Sequence, residues 1–207
     1  MQAGKFITIE GIDGVGKSTA INDVADYLRA KNYKVLLTRE PGGTVLGEEI
    51  RAILIGHADE AISEDAELLL FFAARAQHLH KKIIPALEHG TWVVCDRFTD
   101  ASYAYQSGGR GISEERLAVL ERWVQRDLQP DLTFLLDAPL AICRQRSGKR
   151  GLSDRFEEAQ DTFFEKVRQV YLTRAAHYAE RFRVIDASGT RASVSSQIQQ
   201  LLADYGI

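Results

Sequence analysis

The sequence predicts an α/β fold in which helices cover both faces of a parallel sheet of five strands. Two observations carry this. Short runs of nearly continuous β-branched and apolar residues alternate with longer stretches of helical periodicity, and strands buried on both faces have this unbroken apolar character. The first apolar run also leads through a glycine-rich loop directly into an amphipathic helix, the order of a parallel α/β unit.

The strands are expected at 5–10, 34–38, 92–95, 132–137 and 183–186. Ile21, Val24, Ala25 and Leu28 recur at i, i+3, i+4 and i+7 and mark the buried stripe of the first helix. A long helical stretch runs from 65 to about 88, and Pro85 is expected to kink or end it, because proline lacks an N–H and its ring collides with the preceding turn. Residues 147–154, SGKRGLSD, have no apolar periodicity and carry glycines and basic side chains, so a mobile loop is expected there. No repeat or low-complexity linker divides the chain, which predicts a single domain over 1–207 with a lid at about 144–156.

With 207 residues, 45% of them apolar, the chain can bury one sizeable core. Charged residues make up 27% but nearly cancel to a net charge of -3, so no global electrostatic case exists for a nucleic acid or an anionic membrane as partner. Anion binding must be local. Cys95 and Cys143 are too few and too far apart for a disulfide framework or a zinc site and are expected as buried thiols. The apolar run at 6–9 is much shorter than a signal peptide's core or a membrane span, and a cytoplasmic enzyme is the expectation.

The glycine-rich loop reads Gly11, Ile12, Asp13, Gly14, Val15, Gly16, Lys17, Ser18, which is GxxxxGKS, followed by Thr19. Between a strand and a helix this spacing describes a P-loop and places the fold among P-loop NTPase-type three-layer α/β/α architectures. Glycines let backbone N–H groups curl around phosphate oxygens of ATP, the helix N-terminus adds positive potential, Lys17 reaches the β/γ-phosphates, and Ser18 ligates Mg²⁺. Asp96, ending the third apolar run, is either a second Mg²⁺ ligand or a helix cap.

A P-loop alone does not separate GTPases, motor ATPases and kinases. The base-reading NKxD sequence is absent, as is a DxxG pattern after the Asp96 strand, which argues against a GTPase. Arg39, Arg51, Arg75, Arg97, Arg144, Arg146, Arg150 and Arg155 lie in several separate segments, a supply that two phosphate-bearing ligands would need. An acceptor that is itself a phosphate monoester has a second pKa near 6, so its attacking oxygen needs no base at neutral pH. Positioning and charge neutralisation then become the whole catalytic task.

EGIDGVGKST at 10–19, TREPGGT at 38–44, FFAAR at 71–75, CDRFTDASYAYQSGGRG at 95–111 and DRFE at 154–157 together resemble bacterial thymidylate kinase, in that family's order and through most of the chain. The resemblance implies transfer of the γ-phosphoryl group of ATP to dTMP, giving dTDP and ADP, with Mg²⁺ and in a homodimer. It also implies that Arg97 and Arg51 bind the monophosphate and that Phe71 stacks on thymine while Arg75 meets its carbonyl. Ser102, Tyr105 and Gln106 would face the nucleoside, the tyrosine crowding the ribose 2′ position. Glu40, Pro41 and Asp13 would lie near the acceptor's sugar and phosphate. Basic residues sit in the lid rather than in the P-loop, as in the bacterial arrangement, which makes Arg146, Lys149, Arg150 and Arg155 candidates for the transferred phosphoryl group.

Phe71 and Arg75, at i and i+4, share one helix face and can line one pocket, although LLLFF on its own reads equally as core. Tyr103 and Tyr105 point to different sides of a helix, and the residue pattern does not choose between them. Glu40 reads equally as a turn carboxylate, and 186–191, DASGTR, either approaches adenine or is a plain strand-to-helix turn. The alternatives to dTMP are another nucleoside monophosphate as acceptor or, in a different class, an ATP-binding sensor without transfer.

Overall fold

The computed structural model describes residues 3–56, 61–147 and 154–207, the side chains of 147–160 excepted. Its strands are β1 (Phe6–Glu10), β2 (Val35–Arg39), β3 (Trp92–Asp96), β4 (Leu132–Asp137) and β5 (Phe182–Asp186), each within one residue of the sequence expectation at either end. They form one parallel sheet in the order β2-β3-β1-β4-β5. Connections from β1 run to one side of it and then cross to the other, so the carboxyl ends of β1, β3 and β4 flank the topological switch point, where ligands gather in open α/β sheets.

The central strands are buried along nearly their whole length. Alternation along β1 sends Ile7 and Ile9 into a cluster with Val24, Leu28, Phe134, Val167 and Leu202, and sends Phe6 into a second with Leu79, Ile83, Val93 and Phe98. Helix α1 (Lys17–Ala30) buries the predicted stripe Ile21, Val24, Ala25 and Leu28 against the sheet. The remaining helices are α2 (Val45–Ile55), α3 (Glu64–His78), α4 (Ile84–Glu88), α5 (Thr99–Ser102), α6 (Glu114–Gln125), α7 (Leu140–Ser147), α8 (Asp154–His177) and α9 (Arg191–Asp204). A third cluster, Leu68, Phe72, Tyr103, Ile112 and Leu117, joins α3 to α6.

The long helical stretch neither stops nor breaks at Pro85. It passes through a π-helical turn at Leu79–Ile83 and continues as α4 to Glu88. Pro85 lies in the first turn of α4, where a missing N–H is least costly, and the wider turn before it holds Ile84 N–H on the Leu79 carbonyl.

A buried ionic cluster fixes the segment after β3. Asp100 is 1% exposed and accepts hydrogen bonds from Arg174 Nε (2.7 Å) and from Arg181 (2.7 and 2.9 Å). Both its oxygens are satisfied, so α5 is anchored to the carboxyl end of α8 and to the approach to β5. Removing one member would strand a buried charge. Among the described residues, no helix is long and apolar enough to cross a membrane.

Candidate active site

The loop between β1 and α1 takes its shape from glycines at positive φ, and Gly14 (φ 80°) shows why no side chain is tolerated. A Cβ there would stand 2.2 Å from the Cys143 carbonyl oxygen of α7. Helix α1 starts at Lys17, so its first-turn N–H groups and positive end face the loop. Lys17 Nζ donates to the carbonyls of Gly11 (3.0 Å) and Ile12 (3.1 Å). Burial, and then the neighbouring Arg97 charge, lower the Lys17 pKa to about 8, against the pull of Asp96, Asp13 and Glu10.

Gly14, Gly16, Lys17, Ser18, Thr19 and Asp13 line a cavity of about 500 Å³ together with Arg39, Glu40, Arg51, Asp96, Arg97 and Arg146. Asp96 Oδ1 is buried with no hydrogen-bond partner among the described residues, and Ser18 lines the same space. A carboxylate and a hydroxyl oxygen are hard donors that fit Mg²⁺, an ion that takes few protein ligands and completes its shell with water and phosphate. No group of three or more His, Cys, Asp or Glu suited to holding a metal occurs among the described residues.

A second cavity, about 150 Å³, opens from the first. Glu40, Arg51 and Arg97 line both, so three polar side chains stand at the junction. Arg51 donates to the Pro41 carbonyl (2.9 Å), and the Glu40–Pro41 peptide is cis. Arg97 donates to Asp13 Oδ1 and to the Tyr105 hydroxyl, both at 2.7 Å, with its guanidinium 4.6 Å from the Tyr105 ring centre. Its backbone is left-handed (φ 66°), a conformation that costs energy for a side-chain-bearing residue. Two bonds to β1 hold that turn: Arg97 N–H to the Ile9 carbonyl (3.0 Å) and Phe98 N–H to Glu10 Oε1 (2.7 Å).

Deeper in the second cavity lie Phe71, Arg75, Ser102, Tyr105 and Gln106. The two phenylalanines of LLLFF part company. Phe72 enters the third core cluster, and Phe71 lines the cavity. Arg75 is 2% exposed and donates to Glu40 Oε2 (2.7 Å), Ser102 Oγ (2.9 Å) and the Phe98 carbonyl (3.2 Å), while its NH1 nitrogen has no partner among the described residues. Gln106 donates to Glu67 (3.2 Å). Both tyrosines lie in a π-helical turn at Tyr103–Gly109, and they part as the resemblance implied rather than as the residue pattern alone could tell. Tyr105 faces Arg97 and the cavity, and Tyr103 bonds Glu121 (2.6 Å) on α6.

Arg146 borders the first cavity, with its guanidinium on the carbonyls of Ala187 (2.6 Å), Ser188 (3.4 Å) and Gly189 (2.9 Å). Beyond it a third cavity of about 190 Å³ lies between Gly16 and Thr19 on one side and Gly189 and Arg191 on the other. Lys149 and Arg150 lie outside the described residues, and of Arg155 only the backbone, near the start of α8, is described.

Sequence reasoning missed Glu10. It is fully buried, accepts from Phe98 N–H and from the Tyr171 hydroxyl (2.8 Å), and has its pKa raised to about 8, by burial first and by Asp100 second. The one charged residue, ending an otherwise uncharged, mostly apolar strand, was the signal that could have found it.

The model of the family described as "Thymidylate kinase" matches residues 9–198. The chain belongs to the thymidylate kinase family. It is 53% identical over 202 residues to the thymidylate kinase of Vesicomyosocius okutanii subsp. Calyptogena okutanii, covering 98% of each chain. It is 51% identical over 205 residues to that of Nitrosomonas eutropha, covering 99% of this chain and 95% of the relative. The crystal structure of thymidylate kinase from Ehrlichia chaffeensis superposes with a TM-score of 0.78 at 32% identity, over 99% of both chains. The parallel sheet described above is thus the thymidylate kinase fold.

Proposed function

We infer that this chain is an ATP-dependent phosphotransferase that moves the γ-phosphoryl group of ATP to dTMP, giving dTDP and ADP. The observation that carries the reading is the pair of cavities meeting at Glu40, Arg51 and Arg97. One is walled by a P-loop and the other by an aromatic ring beside an arginine whose NH1 has no partner among the described residues. Membership of the thymidylate kinase family supports the choice of acceptor.

In this reading the triphosphate lies along Gly11–Thr19, with Lys17 at its terminal phosphates and Arg51 and Arg97 holding the acceptor phosphate between the cavities. Asp13, bonded to Arg97, keeps that guanidinium turned toward the junction. The acceptor is largely dianionic at neutral pH, so these groups orient it and offset repulsion, and none removes a proton. Ser18 and Asp96 would hold Mg²⁺, which would supply further positive charge to the phosphates. Arg146, Arg150 and Arg155 serve the transferred group from the lid at about 144–156, within one domain. Phe71 stacks on thymine, Arg75 meets its carbonyl, Ser102 and Gln106 complete the nucleoside wall with Pro41, and Tyr105 crowds the ribose. Adenine sits between the P-loop and 187–191, where the third cavity lies.

We further place the enzyme in the cytoplasm, with no nucleic acid or membrane partner, in keeping with its buried free thiols. We also infer a homodimer. Val45, Ile53, Leu69, Val119 and Trp123 are large apolar side chains exposed on α2, α3 and α6.

The test is ADP release with ATP and Mg²⁺ against dTMP, dUMP, UMP, dCMP, CMP, AMP and GMP. A strong preference for dTMP is expected. Preference for another acceptor would leave a nucleotide kinase of different specificity, and no release with any acceptor would leave an ATP-binding protein.

A further inference from the structure

We propose that His78 is a specificity-positioning residue, holding Glu40 so that Arg75 keeps one nitrogen aimed into the base-sized cavity. His78 belongs to none of the sequence motifs above. It lies three residues after Arg75 on α3, on the same helix face, and is fully buried. Its Nδ1 is 3.0 Å from Glu40 Oε1 and its Nε2 is 2.6 Å from Thr38 Oγ1, so both ring nitrogens are engaged. A carboxylate oxygen only accepts, so Nδ1 carries the hydrogen, and the tautomer follows from the network.

The chain of contacts runs Thr38, His78, Glu40, Arg75, Ser102. Glu40 has one oxygen on His78 and the other on Arg75 Nε, and its own N–H bonds the Asp96 carbonyl (3.0 Å). The carboxylate therefore has no freedom to rotate. Arg75 is held in turn. Its Nε and NH2 are bonded, and its guanidinium lies 4.7 Å from the Phe72 ring centre and 5.1 Å from that of Phe98. A planar guanidinium fixed at those points leaves NH1 a single direction. That nitrogen is buried and unpartnered among the described residues, and Arg75 lines the cavity.

The turn after β2 is built around the same histidine. Gly43 has φ 81°, and a Cβ there would stand 2.5 Å from His78 Nε2 and 2.7 Å from Thr38 Oγ1. The backbone carrying Glu40 and Pro41 is closed down onto this pair, so the imidazole sets the turn as well as the carboxylate.

An N–H₂ donor aimed at a base favours a carbonyl at the pyrimidine 4-position and disfavours an amino group there, because two donors would then meet in a buried site. The proposal rests on the reading of this cavity as the acceptor's base pocket. It extends that reading to how 4-keto pyrimidines are told from 4-amino ones.

The experiment measures kcat and KM for dTMP and dCMP, and KM for ATP, in wild type and in His78→Ala, His78→Asn and His78→Gln, with thermal melting of each. The amide of asparagine places an N–H where Nδ1 stands, and that of glutamine reaches toward the Nε2 position. The dTMP-to-dCMP ratio of kcat/KM is expected to fall by about tenfold in the Ala and Gln variants, the scale of one misdirected hydrogen bond to a buried group. The Asn variant should retain the ratio, and the ATP KM should stay unchanged in all three. Equal losses for both acceptors, a ranking in which Gln outperforms Asn, or failure of all three to fold would overturn the proposal in favour of simple packing. Absence of a dTMP preference in the wild type would instead overturn the underlying assignment of the pocket.

Discussion

The phosphate loop takes its shape from consecutive residues, 11–19, whereas the adjoining base-sized cavity draws Glu40, Phe71, Arg75 and Ser102 from separate segments. Its key contacts span long stretches of chain: 35 residues between Arg75 and Glu40, 27 between Arg75 and Ser102. Backbone N–H groups and a helix end suffice for a triphosphate, whose oxygens look alike from every side. A base has one face and one pattern of donors and acceptors, so reading it takes side chains held from several directions. The two regions should therefore respond to damage differently.

Lys17→Ala should cut kcat/KM by roughly a thousandfold or more through loss of a preorganised charge at the terminal phosphates, while calorimetric binding of dTMP stays close to wild type. Loss of dTMP binding in that variant would mean that the two regions are one.

Glu10 lies on the seam, ending β1 before the phosphate loop and holding the N–H of Phe98, which lines the second cavity. Glu10→Ala should destabilise the fold by about 3 kcal/mol, from an unsatisfied N–H and a cavity together, and Glu10→Gln by clearly less. The pH dependence has a definite sign. The folded chain keeps the Glu10 proton up to about 8, and the unfolded chain releases it near 4.5. The folded state thus binds more protons across that window, and this contribution to stability is lost as pH rises through it. Chemical denaturation from pH 5 to 8 should show a downward component in the wild type that is absent from Glu10→Gln.

Arg75→Ala should lower the dTMP-to-dCMP ratio by roughly thirtyfold, the scale of a lost hydrogen bond from a charged donor, with ATP KM unchanged in steady-state assays. A parallel rise in ATP KM would again erase the division.

The mildest probe is titration. The Lys17 pKa is lowered to about 8, so the free protein loses this charge as pH passes that value, and bound phosphate draws the proton back. ATP KM should rise by about tenfold between pH 7 and 9, with the dTMP KM flat over the same range.

The glycine-rich loop was legible because its information is local. The loop, the strand before it and the helical stripe Ile21, Val24, Ala25, Leu28 all emerge where the pattern puts them. Strand ends fall within one residue of the expected runs, and the three central runs are buried along nearly their whole length. Pro85 was harder. Its missing N–H predicts trouble for a helix, but the remedy, a π turn before it, depends on how Leu79 and Ile83 pack on Phe6 and Val93.

By itself the sequence determined that this chain has a parallel α/β sheet with a phosphate loop at the end of its first strand, and its motifs placed it in its family. Strand burial and loop geometry follow from residues close together in the chain, so pattern alone carries them. Pattern alone left Tyr103 against Tyr105 and the LLLFF run open, and the family resemblance implied Tyr105 and Phe71; the tertiary structure puts both at the cavity and rests Arg146 on the 187–189 carbonyls. It alone brought Glu10 under Phe98 and His78 under Glu40. Each of those outcomes depends on which distant side chain supplies the buried partner, and in a packed interior that is set by how the helices dock on the sheet.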